Sequence, residues 1–325
     1  MPKDNDRPFI DIDQQIERLN KRGVETDSNT GHILLAEGYY CVINGYKEPF
    51  IDLEATKENE EDTYKPGTTF NDIYALFSFD RELRELTFHY LLKIEALIRT
   101  VTTYTFAEAH REKNAYLDRG NFATSEEYRK LGLRKYGTNM ARLQDKLVEL
   151  LDTPRNDAVK HYKDERDRVP LWVLSTTMTF GVIEHFFNFM KRSEQKTVCE
   201  RIADLTSTPF DEKRALSARK TRRAIDVLVK FRNKCAHDER LYCASVDPRN
   251  PVNYFGCVRY ASKFMPISDY FEFVGRIFDT VDNYVNRSGQ LYHILSKTGF
   301  KEFSDTELPK IQRYRNRLAH GQGDA

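Results

Sequence analysis

Residues 231–242 contain three side chains whose types and spacing suit chemistry on a phosphate ester. They are Arg232, Asn233 and His237, in the order Arg-Asn-x-x-Ala-His. In RNA the 2′-hydroxyl can attack the adjacent phosphate, so a protein need only move protons and stabilise the extra charge. An imidazole suits the first task and a guanidinium the second. We predict that His237 transfers protons, Arg232 binds the scissile phosphate and Asn233 orients the histidine or the substrate.

The same pattern occurs a second time near the end of the sequence, at Arg315, Asn316 and His320. A chance second match of four fixed letters is rare in a chain of this length. The two copies could face each other across one cleft, or the second copy could bind RNA without cleaving it. A solvated tail is a third interpretation, because chain termini fray.

Positive charge is concentrated just before and within the first copy, although the formal net charge of the whole chain is only +1. Nine basic residues and a single acid, Asp226, lie between positions 213 and 235. Such a cluster is typical of surfaces that bind phosphate backbones, but it could also be a solvated helix face. The residues predicted to bind RNA are Arg219, Lys220, Arg222, Arg223, Lys230 and Lys234.

The first copy lies on a predicted basic amphipathic helix that runs from Arg219 to about Tyr242. Five positions on a regular helix correspond to about 140° of rotation. Arg232 and His237 therefore do not share a face, whereas Asn233 and His237 do. A second helix, from the same chain or from another subunit, could complete the site. The apolar stripe that must face a partner helix comprises Ala224, Leu228, Phe231 and Cys235.

The strongest apolar periodicity lies between Thr68 and Asn114, where no proline or glycine interrupts the chain. This segment predicts one long helix or two in series. Three of its acids, Glu82, Glu85 and Glu95, could pair with arginines of the site. Shorter helices are predicted at 11–22, 140–151, 170–190, 271–284, 291–295 and after Pro309. We predict a surface loop at 52–67 and a loop or short hairpin at 248–260.

Strand signals are sparse, so the sequence predicts an all-α fold. Hydrophobic residues make up 40% of the chain, which supplies a core and argues against disorder. We divide the chain into an N-terminal helical region with a loop at 1–67, a helical core with the first motif at 68–245, and a C-terminal helical region with the second copy at 246–325.

Several other kinds of site are not expected. The five cysteines form no C-x-x-C pair, and Cys235, His237 and Cys243 match no zinc template. No glycine-rich phosphate loop occurs, and we expect neither a metal nor another cofactor. The longest apolar run, 171–190, contains Glu184 and His185, which predicts a buried helix and not a membrane span. We expect reduced thiols and a cytoplasmic protein.

Residues 232–242 resemble the R-x-x-x-x-H motif of HEPN ribonucleases and, more closely, the Abi family of phage abortive-infection proteins (AbiD/AbiF type). Four further blocks match that family's pattern in order. They are an opening helix at 13–23, a tyrosine-rich block at 38–50, and central helices at 70–84 and 170–181. The third contains Phe79-Asp80-Arg81 and the fourth Pro170-Leu171-Trp172. The second motif copy is not part of this pattern.

The resemblance implies a HEPN-like helical bundle with an N-terminal helical extension, and a metal-independent endoribonuclease that leaves 2′,3′-cyclic phosphates. It implies a toxin of an antiphage toxin–antitoxin system, in which RNA is both the substrate and, as a noncoding antitoxin, the restraining partner. Arg232, Asn233 and His237 correspond to the family's motif. The active unit would be a homodimer or one chain that pairs its two copies. A non-catalytic RNA-binding module and a structural dimerisation domain are the alternatives.

Overall fold

A computed structural model describes residues 9–166, 168–208 and 215–319 of the chain. The α-helices in these ranges are α1 (Ile12–Lys21), α2 (Thr30–Glu37), α3 (Leu53–Asn59), α4 (Phe70–Ala109), α5 (Ser125–Lys130), α6 (Tyr136–Asp152), α7 (Asp157–Arg166), α8 (Leu171–Leu174), α9 (Phe180–Phe189), α10 (Arg192–Thr206), α11 (Ala218–Ala236), α12 (Tyr254–Ala261), α13 (Ile267–Val285), α14 (Leu291–Ser296) and α15 (Phe300–Ala319). The sheet content of the same ranges is one antiparallel pair, β1 (Ser245–Val246) and β2 (Val252–Asn253). The predicted all-α class is confirmed.

The chain forms two compact units. In its described part the first unit comprises residues 9–85, 240–243 and 276–304. The second comprises 86–166, 168–208, 215–239, 244–275 and 305–319. Three helices, α4, α13 and α15, contribute residues to both units, and the motif-bearing helix α11 belongs to the second.

The long apolar segment forms a single helix, α4, of 40 residues. At a rise of 1.5 Å per residue it is about 60 Å long. In the first unit its buried face includes Ile73, Leu76 and Phe79, all at most 1% exposed. Continuous apolar periodicity without a helix breaker is the sequence feature that predicts this length.

In the second unit α11 packs against α9, α10 and α12. The predicted apolar stripe faces these neighbours: Ala224, Leu228 and Phe231 are fully buried, and Cys235 is nearly so. Each side chain lies three or four positions from the next, which places all four on one side of the helix. The prediction that this stripe faces a bundle partner is confirmed, and the opposite side of α11 is left for polar residues.

The loop predicted at 52–67 is wrong in part, because α3 forms inside it. Asp52 begins this helix, and its Oδ1 accepts the backbone N–H groups of Glu54 and Ala55 at 3.0 and 3.1 Å. An aspartate in this position satisfies the free N–H groups of a first helical turn. The prediction overlooked this cap in a segment dominated by charged residues.

The prediction of a single helix at 170–190 is also wrong, because the helix is interrupted between α8 and α9. Three successive hydroxyls, of Ser175, Thr176 and Thr177, donate to backbone carbonyls three residues earlier, at 3.0, 2.7 and 2.8 Å. Thr179 then accepts the N–H of Val182 and begins α9. Hydroxyl side chains that bond to the local backbone compete with continued helix.

The prediction that the last helix begins after Pro309 is wrong, since α15 starts at Phe300 and contains the proline. A proline inside a helix removes one main-chain hydrogen bond. Three side chains spaced by four residues, Phe303, Glu307 and Ile311, are nonetheless buried along one face of α15. Burial of this face stabilises the helix across the break.

The segment at 248–260 combines the predicted hairpin with a helix that was not predicted. Val246 pairs with Val252 across the hairpin. Asn253 then begins α12, and its Oδ1 accepts the N–H of Gly256 at 2.9 Å. None of the helices within the described ranges combines the length and the apolarity that crossing a bilayer requires.

Candidate functional site

The guanidinium of Arg232 is held by a buried carboxylate of the long helix. Its Nε donates to Oε2 of Glu95 at 3.0 Å, and Glu95 is only 3% exposed. The other oxygen, Oε1, accepts from Nη2 of Arg99 at 3.3 Å. Of the three acids predicted as possible partners, Glu95 is therefore the one that binds a motif arginine. Two arginines on one buried carboxylate satisfy both of its oxygens.

Arg232 keeps part of its guanidinium towards solvent, since 23% of its side chain is exposed. Its guanidinium carbon lies 5.7 Å from the centre of the Phe88 ring, within the range of a cation–π contact. Nη1 is 3.4 Å from Oδ1 of Asn233, a long hydrogen bond. Among the described residues Nη2 has no acceptor. The contact with Glu95 thus fixes the Nε side of the Arg232 guanidinium and leaves its terminal nitrogens accessible to an anion.

Asn233 and His237 lie one helical turn apart at the end of α11, where both side chains are exposed. The backbone N–H of His237 donates to the carbonyl of Asn233 at 3.0 Å, which closes the last turn. Nothing in the described part of the chain makes a side-chain hydrogen bond to the imidazole of His237. The imidazole is thus accessible to a bound molecule.

The helix predicted to extend to about Tyr242 ends earlier, at Ala236. His237 has a non-helical conformation, and Asp238 takes a positive φ of 53°. Aspartate tolerates the left-handed conformation better than most residues. The early end places His237 at the boundary between helix and loop, and not within the helix.

A buried carboxylate in the first unit binds the chain just after this turn. Asp80 accepts the backbone N–H of Leu241 at 3.0 Å and that of Tyr242 at 2.6 Å. It also accepts the hydroxyl of Tyr46 and Nη1 of Arg84, both at 2.8 Å. Burial raises the pKa of the Asp80 carboxyl, and these four donors act in the opposite direction. Asp80 is thus the anchor of the segment that follows the motif.

The predicted RNA-binding residues do not form one free basic stripe. Arg222 is only 7% exposed and donates to the carbonyl of Leu131 at 2.9 Å, so its place in an RNA-binding surface is a wrong prediction. Burial also lowers the pKa of Arg222. Arg222 lies three positions before the fully buried Ile225, and residues three apart share a face of a helix, so Arg222 points inward.

Three others are engaged by carboxylates. Arg223 binds Asp226 and Asp247 at 3.3 and 2.5 Å. Lys230 binds Asp226 at 2.8 Å, and Lys234 binds Glu239 at 2.5 Å. Arg219 and Lys220, in the first turn of α11, are exposed and have no ion-pair partner in the described ranges. Of the six predicted residues, these two remain the most accessible to an RNA backbone.

The second motif copy lies on the last turns of α15, where Arg315 and Asn316 are exposed. Its third member, His320, lies outside the described residues. No hydrogen bond or ion pair links Arg315 or Asn316 to a residue of the first copy within the described ranges. The pairing of two copies inside one chain stays a prediction.

The cysteines near the first copy differ in exposure. Cys235 is buried on the inner face of α11, whereas Cys243 is exposed. Among the described residues no three histidine, cysteine or acidic side chains lie together as a metal ion would require. The thiol of Cys235 therefore serves the core of the second unit.

Glu184 of α9, on the helix that packs against α11, has a carboxyl whose pKa is raised far above its ordinary value. Burial, and secondarily the charge of Asp226, raise the pKa of its carboxyl to about 7. Since its ordinary value is 4.5, the folded chain binds this proton more tightly than the unfolded chain. The contribution of Glu184 to the free energy of unfolding is thus fully present below pH 4.5. It is lost as the pH rises through about 7, where the buried carboxyl becomes charged.

At pH 8 the free energy of unfolding of Glu184→Gln is therefore expected to exceed that of the wild type by about 2 kcal/mol, so the variant should unfold at a higher denaturant concentration. Chemical denaturation of both proteins at a series of pH values measures this difference. The advantage should shrink as the pH falls towards 5. Glu200→Gln, on the half-exposed Glu200 of α10, is the matched control. A constant difference between wild type and Glu184→Gln across this range would contradict the assignment.

Comparison with known proteins gives a family match. The family model described as Abi-like protein matches residues 32–243, about two thirds of the chain. The matched range includes Asp80, Glu95, Arg232 and His237. No curated protein and no solved structure matches the chain.

Proposed function

Because this chain belongs to the Abi-like protein family, whose members are associated with abortive infection, we propose that it is an endoribonuclease toxin of the HEPN type. The single observation that carries the proposal is the state of the motif. Arg232 is fixed by the buried Glu95, and His237 is exposed at the end of the same helix. An immobilised cation and an accessible imidazole are the two groups that metal-independent RNA cleavage needs.

The pairing of Arg232 with Glu95 supports a role at the transition state. A guanidinium held in place does not have to reorganise when charge develops on a phosphate. Because Glu95 binds only Nε, the terminal nitrogens can donate to the non-bridging oxygens of the substrate. Arg232 is thus a ligand of the scissile phosphate, and Glu95 is a positioning residue.

His237 is the proton-transfer group in this proposal. It accepts the proton of the 2′-hydroxyl or donates one to the departing 5′-oxygen, so the attack yields a 2′,3′-cyclic phosphate and a free 5′-hydroxyl. Asn233 lies one turn earlier on the same exposed side. Its amide can orient the substrate beside the imidazole.

The distribution of charge favours cleavage over simple RNA binding. A module that only grips RNA needs many unpaired cations along its surface. Here Arg223, Lys230 and Lys234 already bind carboxylates, and Arg222 is buried. RNA contact would fall mainly to Arg219, Lys220 and the motif itself.

A homodimer is part of the proposal. Phe88 is half-buried and Leu92 is 42% exposed, and both share a face of α4 with Glu95. This apolar surface lies beside the arginine of the site. A second copy of the chain that covered it would exclude water and could add a second His237 to one cleft. A noncoding RNA from the neighbouring DNA would restrain the toxin.

The test is to identify the ends that the purified chain leaves on single-stranded RNA in the presence of a metal chelator. We expect products with 2′,3′-cyclic phosphates and 5′-hydroxyls, because the 2′-hydroxyl is the nucleophile. Products with 5′-phosphates, or activity only when divalent ions are restored, would overturn the proposed mechanism. Binding without cleavage would favour the non-catalytic alternative.

A further inference from the structure

A second arginine, Arg99 of α4, lies beside the motif arginine in the second unit. It follows Glu95 by one helical turn, and its Nη2 donates to Oε1 of Glu95 at 3.3 Å. Nε of Arg232 donates to the other oxygen of the same carboxylate at 3.0 Å. One buried carboxylate therefore joins two guanidiniums, and the proposed cleavage mechanism uses only that of Arg232.

The positive charge of this cluster exceeds its negative charge. Arg99 and Arg232 carry two positive charges and Glu95 supplies one carboxylate. Within the described ranges neither arginine forms an ion pair with another acid. A guanidinium does not lose its proton in a protein, so the two like charges on one carboxylate repel each other. An anion that contacted both arginines would balance the excess charge.

The contact with Glu95 uses only one of the donor nitrogens of Arg99. Nη2 makes the long bond to the carboxylate, whereas Nη1 has no acceptor among the described residues. Nε is buried and has no acceptor in the same ranges. An arginine that served only to neutralise a carboxylate would present two parallel N–H groups to it. Since 25% of the Arg99 side chain is exposed, its remaining donors can reach a bound molecule.

The two guanidiniums follow one another along a single face of α4. Phe88, Glu95 and Arg99 are spaced by seven and four positions, so their side chains share this face. The Arg232 guanidinium contacts Phe88 and Glu95. Arg99 lies one turn beyond Glu95, a rise of about 6 Å. Neighbouring phosphates of one unstacked strand can span such a step, and cationic grooves that bind single strands follow the backbone.

We propose that Arg99 binds the phosphate next to the scissile phosphate, so that the site holds two consecutive phosphates of one RNA strand. This inference rests on the proposed ribonuclease function. It makes a dinucleotide a poor substrate, because a dinucleotide offers only the scissile phosphate. The alternative is a structural role, in which Arg99 only holds Glu95 in place for Arg232. A structural role affects all substrates equally, whereas a phosphate contact affects only substrates whose neighbouring phosphate is charged.

A substrate with one neutral phosphate tests the inference without any change to the protein. It is a synthetic RNA around a mapped cleavage site, 2′-O-methylated at every sugar except the one whose 2′-hydroxyl attacks. A methylphosphonate, which carries no charge, replaces the phosphate on the 5′ or on the 3′ side of the scissile phosphate. We expect one of the two replacements to lower kcat/KM of the wild type at least tenfold. If neither replacement lowers it, the inference is wrong.

The variant Arg99→Gln connects this effect to the side chain. Its kcat/KM on the unmodified RNA should be at least tenfold lower than that of the wild type, and the methylphosphonate should lower it by no more than about twofold further. If the methylphosphonate slows Arg99→Gln as much as it slows the wild type, Arg99 has only the structural role.

Arg201→Gln is the matched control for Arg99→Gln. Arg201 is 31% exposed and binds Glu108 of α4 at 2.7 Å. Glu108 lies nine positions after Arg99, which corresponds to about 180° of rotation, so this ion pair is on the opposite side of the helix. Arg201→Gln should cleave both substrates as the wild type does.

Binding of an RNA that is 2′-O-methylated at every sugar separates this inference from the cleavage proposal, because such an RNA cannot be cleaved. The logarithm of the association constant falls with the logarithm of the salt concentration. For Arg99→Gln this slope should be smaller by about 0.7, the value for one phosphate contact with a single strand. An unchanged slope overturns the inference, whether or not the wild type cleaves RNA.

A smaller slope in a chain that cleaves no RNA would overturn the ribonuclease proposal and support the contact between Arg99 and an RNA phosphate. Circular dichroism of each variant shows whether it is folded. The substrate with a neutral phosphate keeps the test decisive where Arg99→Gln does not fold.

Discussion

The variant His237→Ala is expected to cleave RNA about 10²- to 10⁴-fold more slowly than the wild type, because the proton-transfer group is removed. Its free energy of unfolding should change by less than about 0.5 kcal/mol, since the side chain is exposed and makes no described hydrogen bond. In cells the wild type should arrest growth when expressed from a tightly controlled promoter, and the variant should not. Cleavage rates and growth curves measure the two effects.

His293→Ala is the matched control for this comparison, because His293 is an exposed histidine on α14 and lies outside the motif. It should cleave RNA and arrest growth as the wild type does. Coexpression of the noncoding RNA encoded by the neighbouring DNA should relieve the growth arrest caused by the wild type. Equal toxicity of wild type and His237→Ala would exclude catalysis by His237 and would direct attention to the second copy around Arg315.

The variant Asp80→Ala is expected to lose about 3–5 kcal/mol of stability. The substitution removes a buried carboxylate that accepts four donors, so Arg84 is left as a buried charge without that partner. The N–H groups of Leu241 and Tyr242 lose their acceptor as well. The midpoint of denaturant unfolding measures the loss.

Asp279→Ala is the control for this loss, because Asp279 is an exposed aspartate of the same unit. Its effect should stay within about 0.5 kcal/mol. Where Asp80→Ala does not accumulate, Asp80→Asn tests the same point, since it keeps the shape of the side chain and removes its charge. If Asp80→Asn and the wild type unfold at the same denaturant concentration, Asp80 is not the anchor inferred from its contacts.

The two variants distinguish the reaction at His237 from the folding of the segment that Asp80 holds. His237 lies at the end of α11, and Asp80 binds backbone groups four and five positions later. A substitution at His237 should therefore change the reaction without changing the fold. A substitution at Asp80 should change the fold first, and RNA cleavage only through it.

Sequence alone determined the features that depend on short stretches of chain. The 40-residue helix α4 follows from uninterrupted apolar periodicity. The inward stripe of Ala224, Leu228 and Phe231 follows from the helical repeat, and its burial is confirmed. The candidate motif follows from the types and order of Arg232, Asn233 and His237. In all these cases the physical cause acts within a few helical turns.

Local signals also explain the errors. The hydroxyl groups that break the helix at 175–177 and the cap at Asp52 are present in the sequence. They compete with the apolar periodicity that the predictions followed. The early end of α11 is different in kind, because the segment after it is bound by Asp80, more than 150 residues earlier in the chain.

Tertiary structure alone decided which charges are free. Glu82, Glu85 and Glu95 are equivalent as letters on one helix, and only packing brings Glu95 to Arg232, 137 positions away. Packing likewise buries Arg222 and pairs Arg223 with Asp247. Ion pairs between distant helices depend on which faces of those helices pack together. The helical repeat of one segment does not determine which face of another segment it will meet.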